Sequence, residues 1–246
     1  MSKSQRICKA LLDYGKSLQK KPNPDGWDIS KLDNIEFFYG VIFDQGITAK
    51  RAWDAPKELR KRLGHLDPHK IAKMNESTLR KVMRYPKSLH RYWRKMPNWI
   101  ISASKLLVNR YDGKPENIWN DNPRAGDLQR RFIEFKGISQ KKASMATNIL
   151  VRDKKVQVRG LDLSGIDVSG DVQVRRVFLR AGLINVDSVD SAVRAARVLN
   201  PKYPGELDNP TWYIGRNFCR PKKPTCSKCA IGSDCSKKIQ LNAKAA

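Results

Sequence analysis

Four cysteines, Cys219, Cys226, Cys229 and Cys235, fall within seventeen residues, separated by six, two and five others, while Cys8 stands apart. Thiols this close invite two chemistries, pairing or metal binding. Disulfides are disfavoured in the intracellular setting that the rest of the chain implies. Thiolates on one short loop repel one another unless a cation holds them, and Arg216, Arg220, Lys222 and Lys223 lower the cost of a thiolate without replacing that cation. A metal centre is therefore expected. Zinc competes for a four-cysteine site, but structural zinc usually takes two short knuckles rather than one short pair between longer arms. An iron-sulfur cluster is larger than one ion and is also held by four cysteines, which suits this spacing better.

A second constellation combines amines, a carboxylate and a turn. The stretch Phe135-Lys136-Gly137-Ile138-Ser139-Gln140-Lys141-Lys142-Ala143 separates two helical patterns and reads as helix, hairpin, helix. Gly137 permits the sharp turn, and the amides that open the second helix can hold a phosphate. Lys141 falls in the first turn of that helix. There the dipole and the neighbouring Lys142 both oppose its charge, which depresses an amine pKa and suits Schiff-base chemistry on a sugar C1′. The plainer alternative is a phosphate-binding lysine pair. Thirty residues on, Asp171 follows Gly170 where another helix begins. It is either a cap or a carboxylate able to stabilise an oxocarbenium-like transition state and relay protons.

Helices must position these groups. Apolar spacing predicts helices over 4–20, 34–43, 48–62, 67–74, 76–83, 97–111, 124–135, 172–181, 188–199 and 210–218, the last with Asn209 as N-cap and Pro210 at the first helical position. Gly46, after Asp44 and Gln45, suits a left-handed cap to the second of them. Only 156–158 and 161–168 hint at strand, and they read as an irregular linker. The fold is all-α. The 246 residues carry 49 Lys+Arg against 24 Asp+Glu, a formal charge of +25, which calls for a polyanionic partner, nucleic acid above all. Residues 50–95 alone hold fifteen basic and four acidic side chains. No apolar run is long enough to span a membrane and the N-terminus does not read as a signal peptide, so a soluble intracellular protein is expected, cytoplasmic or nuclear. Arg91-Tyr92-Trp93-Arg94-Lys95 interleaves rings with cations that could stack on a splayed base or hold phosphates, although the plainer reading puts the rings in the core and the cations in solvent. His65, His69 and His90 are scattered without ligand spacing and receive no catalytic role.

Together, the hairpin, the following Gly-Asp and the cysteine loop introduced by Trp212-Tyr213-Ile214-Gly215-Arg216-Asn217-Phe218-Cys219 resemble the helix-hairpin-helix DNA glycosylase superfamily, in its endonuclease III branch. The resemblance covers most of the chain. It implies that the cysteines hold a [4Fe-4S] cluster, that Lys141 attacks the sugar, that Asp171 is the partner carboxylate and that Gln45 enters the DNA. It further implies DNA contacts at Gly137, Ser139 and Lys142. The implied architecture is two helical domains, 31–152 ending in the hairpin and 1–30 plus 153–246 carrying the cluster, flanking a DNA-binding cleft. The implied function is a monomeric base-excision glycosylase with abasic-site lyase activity on double-stranded DNA bearing a damaged or mismatched base. A non-catalytic, damage-sensing protein of the same fold is the alternative. Lys136 stands where the family hairpin usually has proline and Ser139 where it has a second glycine. The adenine-specific relatives carry a catalytic glutamate where this chain has Gly40, and they lack the hairpin lysine.

Overall fold

The computed structural model describes residues 1–19 and 29–238, and among these it contains helices and turns but no strand. Eleven α-helices are described. They fall into two compact units, Asn23–Leu161 and Met1–Pro22 with Asp162–Ala246.

The first of these is built around α2 (Asn34–Phe43), whose residues Phe37 to Phe43 are all fully buried. An apolar run with no polar face can be stable only when surrounded. Here Asp33 and Glu36 close a reciprocal capping box at its start. Gly40 is the point of closest approach to α3 (Ala49–Leu63), where a Cβ would stand 2.5 Å from the Trp53 ring. A side chain at this position would collide with that ring. The Tyr39 hydroxyl is 2.8 Å from Ser104 Oγ on α6 (Met96–Tyr111), and Ser104 donates onward to the Ile100 carbonyl. The short helices α4 (Pro68–Ala72) and α5 (Glu76–Arg84) pack against α6 and α3 respectively. The unit closes with α7 (Ala125–Ile133) and α8 (Gln140–Arg152), packed on each other through the hairpin.

The other unit gathers α1 (Lys3–Gln19), α9 (Val172–Ala181), α10 (Val189–Leu199) and α11 (Asp208–Asn217) around Leu11, Val174, Phe178, Ala196 and Ile214. Each fully buried side chain of the size of Phe178 contributes about 2–3 kcal/mol. Helices α9 and α11 meet at Gly215, where a Cβ would lie 2.7 Å from Gln173 Cβ. The cysteine loop follows directly from α11.

One boundary differs from expectation. α11 begins at Asp208, capped by Leu207, so Asn209 and Pro210 lie inside its first turn. Proline is tolerated there because the first-turn amides have no intrahelical partner. The segment 156–168 forms no strand, only a short 3-10 turn at Arg159–Leu161.

Candidate functional site

The hairpin turn is fixed by three separate contacts. Gly137 has φ +91, and a Cβ there would meet Trp99 at 3.0 Å, so both backbone conformation and space call for glycine. Lys136, in the family's proline position, donates to Asn98 Oδ1 at 2.6 Å, and Asn98 Nδ2 donates to Glu76 Oε2 at 3.1 Å. A chain of polar contacts to α5 and α6 thus stands in for the rigidity of proline. Behind the turn, buried Gln129 on α7 accepts from Ser144 Oγ at 2.9 Å and from Gln140 Nε2 at 3.2 Å, tying α7 to α8.

Ser139 is the N-cap of α8 and is exposed, and its hydroxyl makes no capping bond. The first amides of α8 therefore keep their donors for an external acceptor. Lys141 is exposed in that first turn. Lys142 is not: it is 5% exposed, and its Nζ donates to the Ile42 carbonyl at 2.8 Å and the Gly137 carbonyl at 2.9 Å. Burial lowers its pKa to about 8, while Asp44 pulls it upward and Lys141 pushes it further down. Where a DNA contact was expected, the Lys142 amine is engaged by the protein's own carbonyls. Gln45 is exposed in the turn after α2, and Gly46 has φ +66 with Tyr92 packed against it. The rings of Tyr92 and Trp93 are half-buried, not core as the plainer reading had them. Arg84 and Arg94 lie 4.2 and 4.6 Å from the Trp93 ring centroid, so this ring is engaged by guanidinium groups.

In the other unit Asp171 is the N-cap of α9, its Oδ1 accepting from the amides of Gln173 at 2.8 Å and Val174 at 3.0 Å. The turn leading to it is held by buried Asp208, which accepts from Ser169 N at 2.6 Å and Ser169 Oγ at 2.8 Å. Gly170 has φ +59, with Val189 where a side chain would go.

Cys219, Cys226, Cys229 and Cys235 line one pocket, with Val177, Ile214, Phe218, Ile231 and Gly232 as its other walls. A Cβ on Gly232 would lie 2.5 Å from the Cys226 carbonyl, so the loop can wrap this tightly only with glycine there. Burial raises the thiol pKa of Cys229 and of Cys235, and the other cysteines of the loop add to this, so bringing the set to thiolates requires a positive centre. Among the described residues no three His, Cys, Asp or Glu side chains are grouped to hold a single metal ion. The four sulfurs share one apolar-walled pocket, and the Lys237 amide donates to Cys235 Sγ at 3.3 Å.

Two arginines that no sequence motif singles out brace this loop. Arg180 is 1% exposed, and its guanidinium donates to the carbonyls of Arg220 and Pro221 at 2.8 Å each and to Cys219 Sγ at 3.4 Å. Its Nε has no hydrogen-bond partner, and among the described residues no carboxylate pairs with it. A buried cation so placed is complemented by anionic sulfur. Arg176 donates to the Cys219 and Gly215 carbonyls at 2.8 Å each. Both project from α9, the helix that Asp171 caps.

No family model matches the chain. Among curated proteins it is similar to Endonuclease III of Buchnera aphidicola subsp. Baizongia pistaciae (strain Bp), 27% identical over 138 residues. The match takes in 55% of this chain and 54% of that protein, so the chain spans about half the length of the curated relative it matches. Among solved structures, a trapped endonuclease III–DNA covalent intermediate aligns with a TM-score of 0.69 at 18% identity, over 96% of this chain and 97% of the other. A non-covalent endonuclease III–DNA complex gives the same figures. A thermostable thymine-DNA glycosylase aligns with a TM-score of 0.66 at 13% identity, over 97% and 98% of the two chains. At these identities the structures speak for the fold, which is that of endonuclease III. The curated relative is itself an endonuclease III, so the likeness in sequence and the likeness in fold point the same way.

Proposed function

We propose that the protein is a base-excision DNA glycosylase with abasic-site lyase activity, acting as a monomer on duplex DNA that carries a damaged or mismatched base. The observation that carries this reading is the exposed Lys141 in the first turn of α8, directly after a hairpin whose amides are uncapped. A chain with a formal charge of +25 binds the duplex through its phosphates, and the affinity falls with salt. Gln45 enters the stack as the target nucleotide leaves it. Extrusion costs a few kcal/mol, least at a damaged pair, which supplies part of the selectivity.

Lys141 Nζ then attacks C1′ through its lone pair. The N-glycosidic bond breaks, the base departs with a proton, and opening of the sugar ring gives an imine between Nζ and C1′. Removal of a C2′ proton expels the 3′ phosphate by β-elimination, and hydrolysis of the imine frees the lysine. Asp171 is assigned the part of the carboxylate that stabilises the positive charge at C1′ and relays protons.

Cys219, Cys226, Cys229 and Cys235 are assigned to a [4Fe-4S] cluster. When bound, it supplies the four iron–thiolate bonds that hold the loop closed. Asp171, Arg176 and Arg180 all belong to the helix which that loop packs against.

Turnover on a panel of duplexes with oxidised pyrimidines, uracil and mismatched thymine tests the proposal. Base release and strand cleavage on at least one lesion are expected, with both lost in Lys141→Ala. Tight, salt-sensitive binding without release of any base would favour the damage-sensing alternative instead.

A further inference from the structure

The turn that presents Gln45 is pinned by two side chains distant in sequence. Helix α2 stops at Phe43, and its last carbonyls point out of the helix and need donors. The Asp44 amide returns to the Gly40 carbonyl at 3.0 Å and the Gln45 amide to the Phe43 carbonyl at 2.6 Å. The Ile42 carbonyl receives Lys142 Nζ, and the same ammonium bonds the Gly137 carbonyl of the hairpin turn. A cation at a helix C-terminus is also favoured by the dipole.

The Phe43 carbonyl lies 3.0 Å from Nε2 of His90, which is fully buried. The Tyr92 amide donates to His90 Nδ1 at 2.9 Å, so the ring's proton must sit on Nε2, which donates to Phe43. The 88–92 segment is itself anchored by Arg51, bonded to the Ser88 and Leu89 carbonyls. Tyr92 closes over Gly46, where a Cβ would be 2.8 Å from the ring.

We infer that Lys142 and His90 are positioning residues: they lock the Asp44-Gln45-Gly46 turn to the hairpin turn, so that the two DNA-contacting elements of this unit move as one. The inference rests on the proposed insertion of Gln45 into the duplex. A side chain that must replace an extruded nucleotide gains from a backbone that cannot fold away under load. Lys142 supplies that rigidity by joining the end of α2 to the hairpin, and His90 by holding the next carbonyl.

The test uses the full chain and a duplex with a tetrahydrofuran abasic analogue opposite 2-aminopurine, reading the fluorescence gain at saturating protein. Saturation removes affinity from the readout, and thermal melting establishes that each variant is folded. Gln45→Ala should abolish the gain. Lys142→Met, and His90→Phe, which keeps the ring but deletes both bonds, should each lower the ratio of inserted to uninserted complexes by roughly tenfold, the scale of one lost hydrogen bond of this kind. Binding of undamaged duplex should change less than about twofold. If Gln45→Ala abolishes the gain while both other variants keep it in full, the inference is overturned and the reading of Gln45 stands. If Gln45→Ala keeps the gain, the reading of Gln45 fails and takes the inference with it. Should Lys142→Met not fold, His90→Phe decides alone.

Discussion

The hairpin and the cysteine loop are braced by opposite means. Around the hairpin, the side chains of Lys136, Asn98, Gln129, Ser144 and Lys142 satisfy one another, Glu76 or backbone carbonyls, and what is left for an external acceptor is the first amides of α8. Around the cysteine loop, two arginines reach the Cys219 carbonyl or sulfur, and the thiols resist ionisation by burial. One element is complete as polypeptide. On the proposed cluster assignment the other is complete only with a metal centre, and the helix that Asp171 caps depends on it.

The strongest way to break this contrast is to remove the centre. Cys226→Ser, or prolonged chelation, should cost several kcal/mol of stability, since metal binding in such sites is largely folding free energy. Amide exchange should rise in α9 and in residues 219–235 and stay unchanged in α7 and α8. Equal loss of protection in both regions would erase the distinction.

Arg180→Met comes next. It leaves the Arg220 and Pro221 carbonyls without their buried donor, so a loss of about 3 kcal/mol is expected in denaturant titration, with faster bleaching of any iron chromophore.

A comparable effect in the other unit depends on pH. His90 is held neutral, its pKa lowered to about 4, by burial first; its bond to Phe43 opposes this, and the charges of Lys142 and Arg51 add to the depression. Between that value and the ordinary 6.5 the unfolded chain holds a proton that the folded chain does not. Stability is therefore fully present above pH 6.5 and lost as pH falls toward 4, by up to about 3 kcal/mol. His90→Phe should flatten that part of the pH–stability curve.

The smallest effect sharpens the comparison. Lys136→Ala removes an exposed contact to Asn98 and should cost less than about 1 kcal/mol, measured by thermal unfolding, with the hairpin retained.

The helical architecture was legible because the apolar periodicity is strong: α2 and α9 occupy the residues their patterns predict and Asp171 caps α9, while Gly46 is left-handed as expected but the C-cap of α2 is Asp44. The hairpin was legible through Gly137. Arg180 was not, because a basic side chain next to apolar ones ordinarily reads as solvated, and only the carbonyls of a loop forty residues away make its burial tolerable. Neither was the role of His90, whose partners are backbone atoms that leave no mark in sequence. Lys142 did leave a signal. It heads the stripe Lys142, Ala146, Ile149, Leu150, the buried face of α8, whereas Lys141 lies about 100° away around the helix. Two adjacent lysines in one motif thus differ in kind, one turned inward to hold backbone and one turned outward and available.

That difference is also the sharpest point of attack. Borohydride reduction of the protein on abasic duplex, followed by proteolysis and mass spectrometry of the cross-linked peptide, locates the attacking amine. The account predicts a reduced adduct on Lys141 and none on Lys142. An adduct on Lys142 or elsewhere, or none under conditions in which the protein cleaves the strand, would contradict it.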